Sequence, residues 1–255
     1  MSEANLNLDQ RSVLDDVRSA LGRSTTVRPV PLEPFIEPSV KIDIGGLIAR
    51  FTEEATAVRA QVYLMSDKLQ FVADDAKQST TQPIDKLKFV GQISALISEI
   101  CRTTGATEVA VSDSTLIAEM DLQAQLAAQG FSVFAPKAGL IDHEQMVTRL
   151  ANCGMGLTAA DYAIAETGTI VLSSDDRNAL LVSLLPPVHI ALIRSSQIAA
   201  SLDEVIKAIG NERIGRSDPS RSVTMITGPS RTSDVELVLS IGVHGPKELH
   251  VIILD

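Results

Sequence analysis

A chain of 255 residues with 45% hydrophobic content can bury one large core or two small ones, and a 3% aromatic fraction without Trp leaves that core to Val, Ile, Leu and Ala. The formal charge of -10 and a pI of about 4.9 repel polyphosphates and anionic lipid surfaces, so neither nucleic acid nor membrane is an expected partner. The basic side chains Arg213, Arg216 and Arg221 are diluted by Glu212 and Asp218 and read as a solvated loop.

Leu8, Val13, Leu14, Val17 and Leu21 recur about once per helical turn ahead of Gly22, which predicts an amphipathic helix. Pro29, Pro31, Pro34 and Pro38 then forbid helix or central strand, so residues 1–40 are expected to be a helical arm and linker before an α/β body over 41–255. The opening Met1-Ser2-Glu3-Ala4-Asn5 has no basic segment leading into an apolar one. The longest apolar stretch, Ala179 to Ile193, is interrupted by Ser183, Pro186, Pro187 and His189. A cytoplasmic protein without signal peptide or membrane span is expected.

Within the body the pattern predicts a helix from Gly46 to Arg59, strands near Val62 and Phe71, and a helix from Ile84 to Thr103. A buried strand over Glu108 to Val111, a helix from Asp121 to Gln129 and a strand from Phe131 to Phe134 follow, then a helix over Asp142 to Asn152. The second half predicts a strand pair within Tyr162 to Ser173, a helix from Asn178 to Leu184, and a strand from Val188 to Ile193. It continues with a helix from Leu202 to Ile209, a strand from Val223 to Ile226, a helix from Asp234 to Leu239, and a last strand from Leu249 to Leu254. Strands alternating with helices predict an α/β fold, a largely parallel sheet with helices on both faces.

Cys101 and Cys153 lack CxxC spacing and are expected to be buried apolar side chains; His143, His189, His244 and His250 are scattered without an HExxH pattern. No metal site and no cofactor is expected in this chain. Gly154 to Ala159 formally matches GxGxxA, but that fingerprint needs a strand directly before it, where Asp142 to Asn152 reads as helix. The expectation there is a helix stop at Gly154 and a turn with Thr158 as a helix cap.

Three segments are candidates for chemistry. In the first, Glu166 sits between aliphatic runs beside Thr167, Gly168 and Thr169, which can supply donors to its carboxylate. Glu166 is therefore read as a catalytic nucleophile or base, or else as a carboxylate that closes a tight turn on backbone amides. In the second, Gly228, Ser230, Arg231 and Thr232 follow a strand and precede a predicted helix, a setting that suits either a small anion or ordinary capping. The third comprises Asn178 and His189, at the ends of an apolar helix, and His244 between residues of a turn. Glu166, Asn178, His189, Ser230, Arg231 and His244 are expected to converge on one pocket at the carboxyl ends of the strands.

Four ordered blocks, Gly156 to Leu172, Asn178 to Leu192, Thr227 to Asp234 and Gly242 to Asp255, resemble the LUD domain family, which includes the C subunit of lactate-utilisation systems. The resemblance is dense over about the last hundred residues. It implies a fold similar to the sugar-phosphate isomerase, CoA-transferase and 5-formyltetrahydrofolate cyclo-ligase group. It also implies a cluster-free subunit working with two iron-sulfur subunits that oxidise L-lactate to pyruvate. CoA-transferases of that group use a glutamate followed by glycine as nucleophile; Glu166 before Gly168 is similar without being the same pattern. The competing readings are a stand-alone enzyme acting on a CoA ester, folate or sugar phosphate through Glu166, and a purely structural dimer; a homo-oligomer is also among the expected partners.

Overall fold

Asp43 starts the first helix of the body as its cap, its Oδ1 accepting from the Gly46 N–H at 2.9 Å. The computed structural model describes residues 42–66, 83–136, 142–174, 177–213, 222–233, 239–242 and 244–255, together with residue 20. The chain divides into two units, Met1–Lys41 and Ile42–Asp255, and the second carries the sheets and their helices. The expected arm, the linker and the strand near Phe71 lie outside the described residues.

In chain order the elements are α1 (Ile44–Ala57), β1 (Gln61–Met65), α2 (Pro83–Thr104), β2 (Glu108–Val111), α3 (Thr115–Glu119), α4 (Leu122–Ala128), β3 (Ser132–Phe134) and α5 (His143–Asn152). They continue with β4 (Met155–Ala159), β5 (Tyr162–Ile164), β6 (Thr169–Ser174), α6 (Arg177–Leu184), β7 (Val188–Arg194), a short 3-10 turn (Ser195–Gln197) and β8 (Ile198–Ala199). The last are α7 (Leu202–Arg213), β9 (Ser222–Ile226), β10 (Arg231–Ser233), β11 (Leu239–Ile241) and β12 (Glu248–Leu254).

Six strands form one parallel sheet in the order β1-β12-β7-β4-β2-β3. Parallel strands need both faces covered, and the central ones are accordingly apolar runs buried on both sides, as in β7 and β12. On one face Ile93, Ile97 and Cys101 of α2 with Leu122 and Leu126 of α4 pack on Val109, Leu157, Ile190 and Ile252. Each such aliphatic side chain contributes about 1.5–3 kcal/mol on burial. On the other face α5 and α6 cover part of the sheet through Met146, Leu150 and Val182. The remainder lies under Phe51 and Ala55 of α1 and under a second sheet, β8-β5-β6-β9, whose Ala163 and Ile170 meet Ala191, Ile193 and Val251. The α/β class and the largely parallel sheet are as the sequence predicts; the second sheet is not among its predictions.

Two local expectations are corrected. Residues 155–159 form β4, a central strand, and Thr158 caps no helix but bonds His189 at 2.8 Å. Gly156 disguises the strand, since glycine has low strand propensity. It is required there because a Cβ would lie 2.0 Å from the Val182 carbonyl oxygen of α6. Of the helix expected from Asp234 to Leu239, residues 234–238 lie outside the described residues; at its end Leu239 belongs to a strand and pairs with Ser233. Val235, Leu237, Leu239 and Ile241 alternate with period two, a strand pattern.

Candidate functional site

The strand order reverses between β2 and β4. After β2 the chain steps outward through α3 and α4 on one face to β3; after β4 it leaves on the other face into β5. Loops that part in this way leave a crevice at the carboxyl ends of the two strands, the usual ligand position in open α/β sheets. A cavity of about 590 Å³ lies there, within the range of small-molecule sites.

Its lining comes from the ends of β2, β4 and β7. Ser112 directly follows β2 and is held by its backbone N–H, which donates to the Leu157 carbonyl at 2.9 Å. The residue is only 2% exposed, yet its hydroxyl has no hydrogen-bond partner among the described residues. Asp113, Ser114 and Thr115 continue the rim into α3. Opposite them, Asp161 accepts from the Ser173 N–H through Oδ2 at 2.6 Å. Gln197 ties the far side together: its Nε2 donates to the Ala160 and Asp161 carbonyls at 3.3 and 2.9 Å, and its Oε1 accepts from the Arg194 N–H at 2.9 Å. The Arg194 guanidinium bonds Glu119 at 2.9 Å across the mouth, a half-exposed pair of modest energy.

None of these residues is among the candidates from the sequence. The available signal is Ser-Asp-Ser-Thr directly after a buried strand, a run of hydroxyls and an acid at a carboxyl strand end.

The candidates from the sequence occupy a different region. Glu166 accepts from the Leu202 N–H at 2.8 Å through Oε1 and so caps α7, while its own N–H donates to the Ala200 carbonyl at 3.2 Å. Gly168 takes φ 62° and presses against α1, where a Cβ would lie 2.2 Å from Ala55 N. A chain of hydroxyls runs from Thr167 to Thr169 to Thr227, each step 2.7 Å, and joins this turn to the one at Gly228. Arg231 donates to the Val58 carbonyl at the C-terminus of α1, complementing the negative end of that helix. Ser230 bonds Pro246 through its N–H at 2.8 Å, and His244 is exposed in the same loop before β12. Thr232 belongs to β10 and Asn178 to the first turn of α6; the side chains of both lie outside the described residues.

The expected convergence at carboxyl strand ends is thereby corrected. Val58 and the turns packed on it stand just before β1, Ser230 and His244 just before β12, and His189 is the second residue of β7, all at amino ends. The cause is the chain direction: β9 leads its following turn back toward the C-terminus of α1, opposite to the end of the parallel sheet that carries the cavity. None of the candidate residues lines the cavity.

His189 is fully buried, bonded to Thr158 through Nε2, and burial pushes its pKa down to about 3. Its Nδ1 has no partner among the described residues. His250 is buried on the opposite face between the Tyr63 hydroxyl and Glu248, both at 3.2 Å. Burial raises the thiols of Cys101 and Cys153 to about 11, which keeps both protonated and inert. Among the described residues no three His, Cys, Asp or Glu side chains are grouped to hold a metal ion, and no helix is long and apolar enough to cross a membrane.

Known proteins resemble this chain over most of its length. The LUD domain model matches residues 48–254. Lactate utilization protein C of Shouchella clausii is 26% identical over 244 residues, 96% of each chain. Lactate utilization protein C 1 of Bacillus mycoides is 36% identical over 117 residues, which span 46% of this chain and 50% of that relative. A crystal structure of a DUF162 family protein from Deinococcus radiodurans shares the fold with a TM-score of 0.53 at 20% identity, covering 84% of this chain and 100% of that one.

Proposed function

Since this chain belongs to the LUD domain family, we propose that it serves lactate utilisation as the cluster-free subunit of a system that oxidises L-lactate to pyruvate. The observation that carries the proposal is the end-to-end similarity to a lactate utilization protein C, 244 residues at 26% identity. Oxidation of L-lactate releases two electrons and two protons, and the electrons need an acceptor. The two cysteines of this chain are buried, far apart in sequence and protonated, so the clusters fall to iron-sulfur partner subunits. The chain then contributes by binding a ligand or by holding those subunits in register. A reactive Glu166 is the less supported alternative, because its carboxylate is engaged at the start of α7.

Deletion of the gene is the test. The deletion strain should fail to grow on L-lactate and grow normally on pyruvate, with growth restored by the wild-type chain. Unimpaired growth on L-lactate in a strain without another lactate dehydrogenase would refute the assignment.

A further inference from the structure

We infer that the cavity at the ends of β2, β4 and β7 binds a neutral, polyhydroxylated small molecule, of the chemical class of sugars and polyols, and discriminates against carboxylates and phosphate esters. The inference rests on that cavity being a ligand site and is independent of the assignment to lactate utilisation.

The first support is Ser112. The residue is 2% exposed, and its hydroxyl, which makes no hydrogen bond to the described residues, lines the cavity from a backbone fixed by the bond to Leu157. A ligand hydroxyl can both donate to it and accept from it. The neighbouring side chains of Asp113, Ser114 and Thr115 likewise make no hydrogen bond to the described residues, and Ser114 does not cap α3. Three hydroxyls and a carboxylate in sequence present mixed donors with an acceptor surplus, which suits several ligand O–H groups.

The second support is charge. Asp113, Glu119 and Asp161 line the cavity, Arg194 is the cation of that lining, and it is already matched by Glu119. An anion entering would meet the Asp113 carboxylate, which no cation neutralises among the described residues, and the encounter is repulsive by Coulomb's law. Among the described residues these carboxylates are not grouped to hold a metal ion that would reverse the sign. Leu116, Ala159, Ala160 and Leu172 supply aliphatic surface for the C–H groups of such a ligand.

The test uses the purified full chain with D-ribose and D-glucose as neutral probes and D-ribose 5-phosphate and L-lactate as anionic ones, read by saturation-transfer NMR and thermal shift. At least one neutral probe should bind, with affinity tenfold or more above both anions. Ser112→Ala and Asp113→Asn should each weaken it about tenfold, and Asp113→Asn should narrow the gap to D-ribose 5-phosphate. Circular dichroism and melting temperature confirm that each variant is folded, and two independent variants guard against a folding failure in one. Anions binding as tightly as the neutral probes, binding unaffected by both substitutions, or no binding of either sugar would each overturn the inference. Failure of the growth test alone would leave it standing.

Discussion

His189 fits its surroundings only as a neutral imidazole. Its ring is buried and its one hydrogen-bond partner among the described residues is the Thr158 hydroxyl, so an Nε2–H donating to Thr158 leaves only the Nδ1 lone pair unbonded. The folded pKa of about 3 lies below the ordinary value of 6.5. Between these two values the unfolded chain holds a proton that the native chain does not, so stability is full above the unfolded value and lost as pH falls toward the folded one. Between pH 7 and pH 5 the wild type should lose about 2 kcal/mol more than His189→Gln, from about 1.4 kcal/mol per pH unit below 6.5. Chemical denaturation of both proteins at the two pH values measures this, and equal losses would refute it. The sequence allows His189 to be a hydrogen-bonded structural residue or a catalytic one; the bond to Thr158 supports the former, and that partner is hidden in the sequence because residues 155–159 read as a turn.

Glu166 shows how an element's end can be mistaken for a reactive group. Its carboxylate stands 36 residues before the helix it caps, so no local pattern reveals the partner. The cap predicts that Glu166→Ala lowers stability by about 1 kcal/mol, as loss of a helix N-cap does, while Glu166→Gln, which keeps an acceptor oxygen, loses much less. Equal losses in the two variants would argue against the cap, and urea midpoints distinguish the outcomes. The strands legible in the sequence, such as β2 and β7, are short β-branched runs with polar residues at their ends. β4 is illegible because two of its neighbours require a small residue at Gly156, and that requirement comes from α6 and Pro186 rather than from the strand itself. β5 and β6 are legible as a pair, but their membership in a separate sheet depends on β8 and β9, which lie far along the chain.

The cavity depends on which strand ends meet, and that is set by pairings remote in sequence. Ser112 and Asp161 become neighbours of one space only because β2 pairs with β4, and Arg194 joins them only because β4 pairs with β7. The polar blocks at Glu166 and Gly228 are conspicuous in the sequence because they interrupt apolar runs, yet what they visibly do is clamp the end of α1. The same remote pairing makes the body intolerant of truncation. β12 lies between β1 and β7, so a chain ending after Ile226 loses the strand that joins β1 to the rest of the parallel sheet, along with β10 and β11. Such a chain should be insoluble or lack a cooperative thermal transition; a soluble product with a sharp transition would contradict the topology.

The position of β12 also orders events during synthesis. Gln61 to Met65 emerge from the ribosome early, and their ladder partners are His250 to Leu254. The segment from β2 to β4 can assemble as soon as it is made, since its pairings are comparatively near in sequence. β1 and its apolar face must wait through the translation of nearly all the rest of the body, a high-contact-order closure that is slow and exposes an unpaired edge meanwhile. Chaperone demand should therefore concentrate in the interval before His250 to Leu254 leave the ribosome.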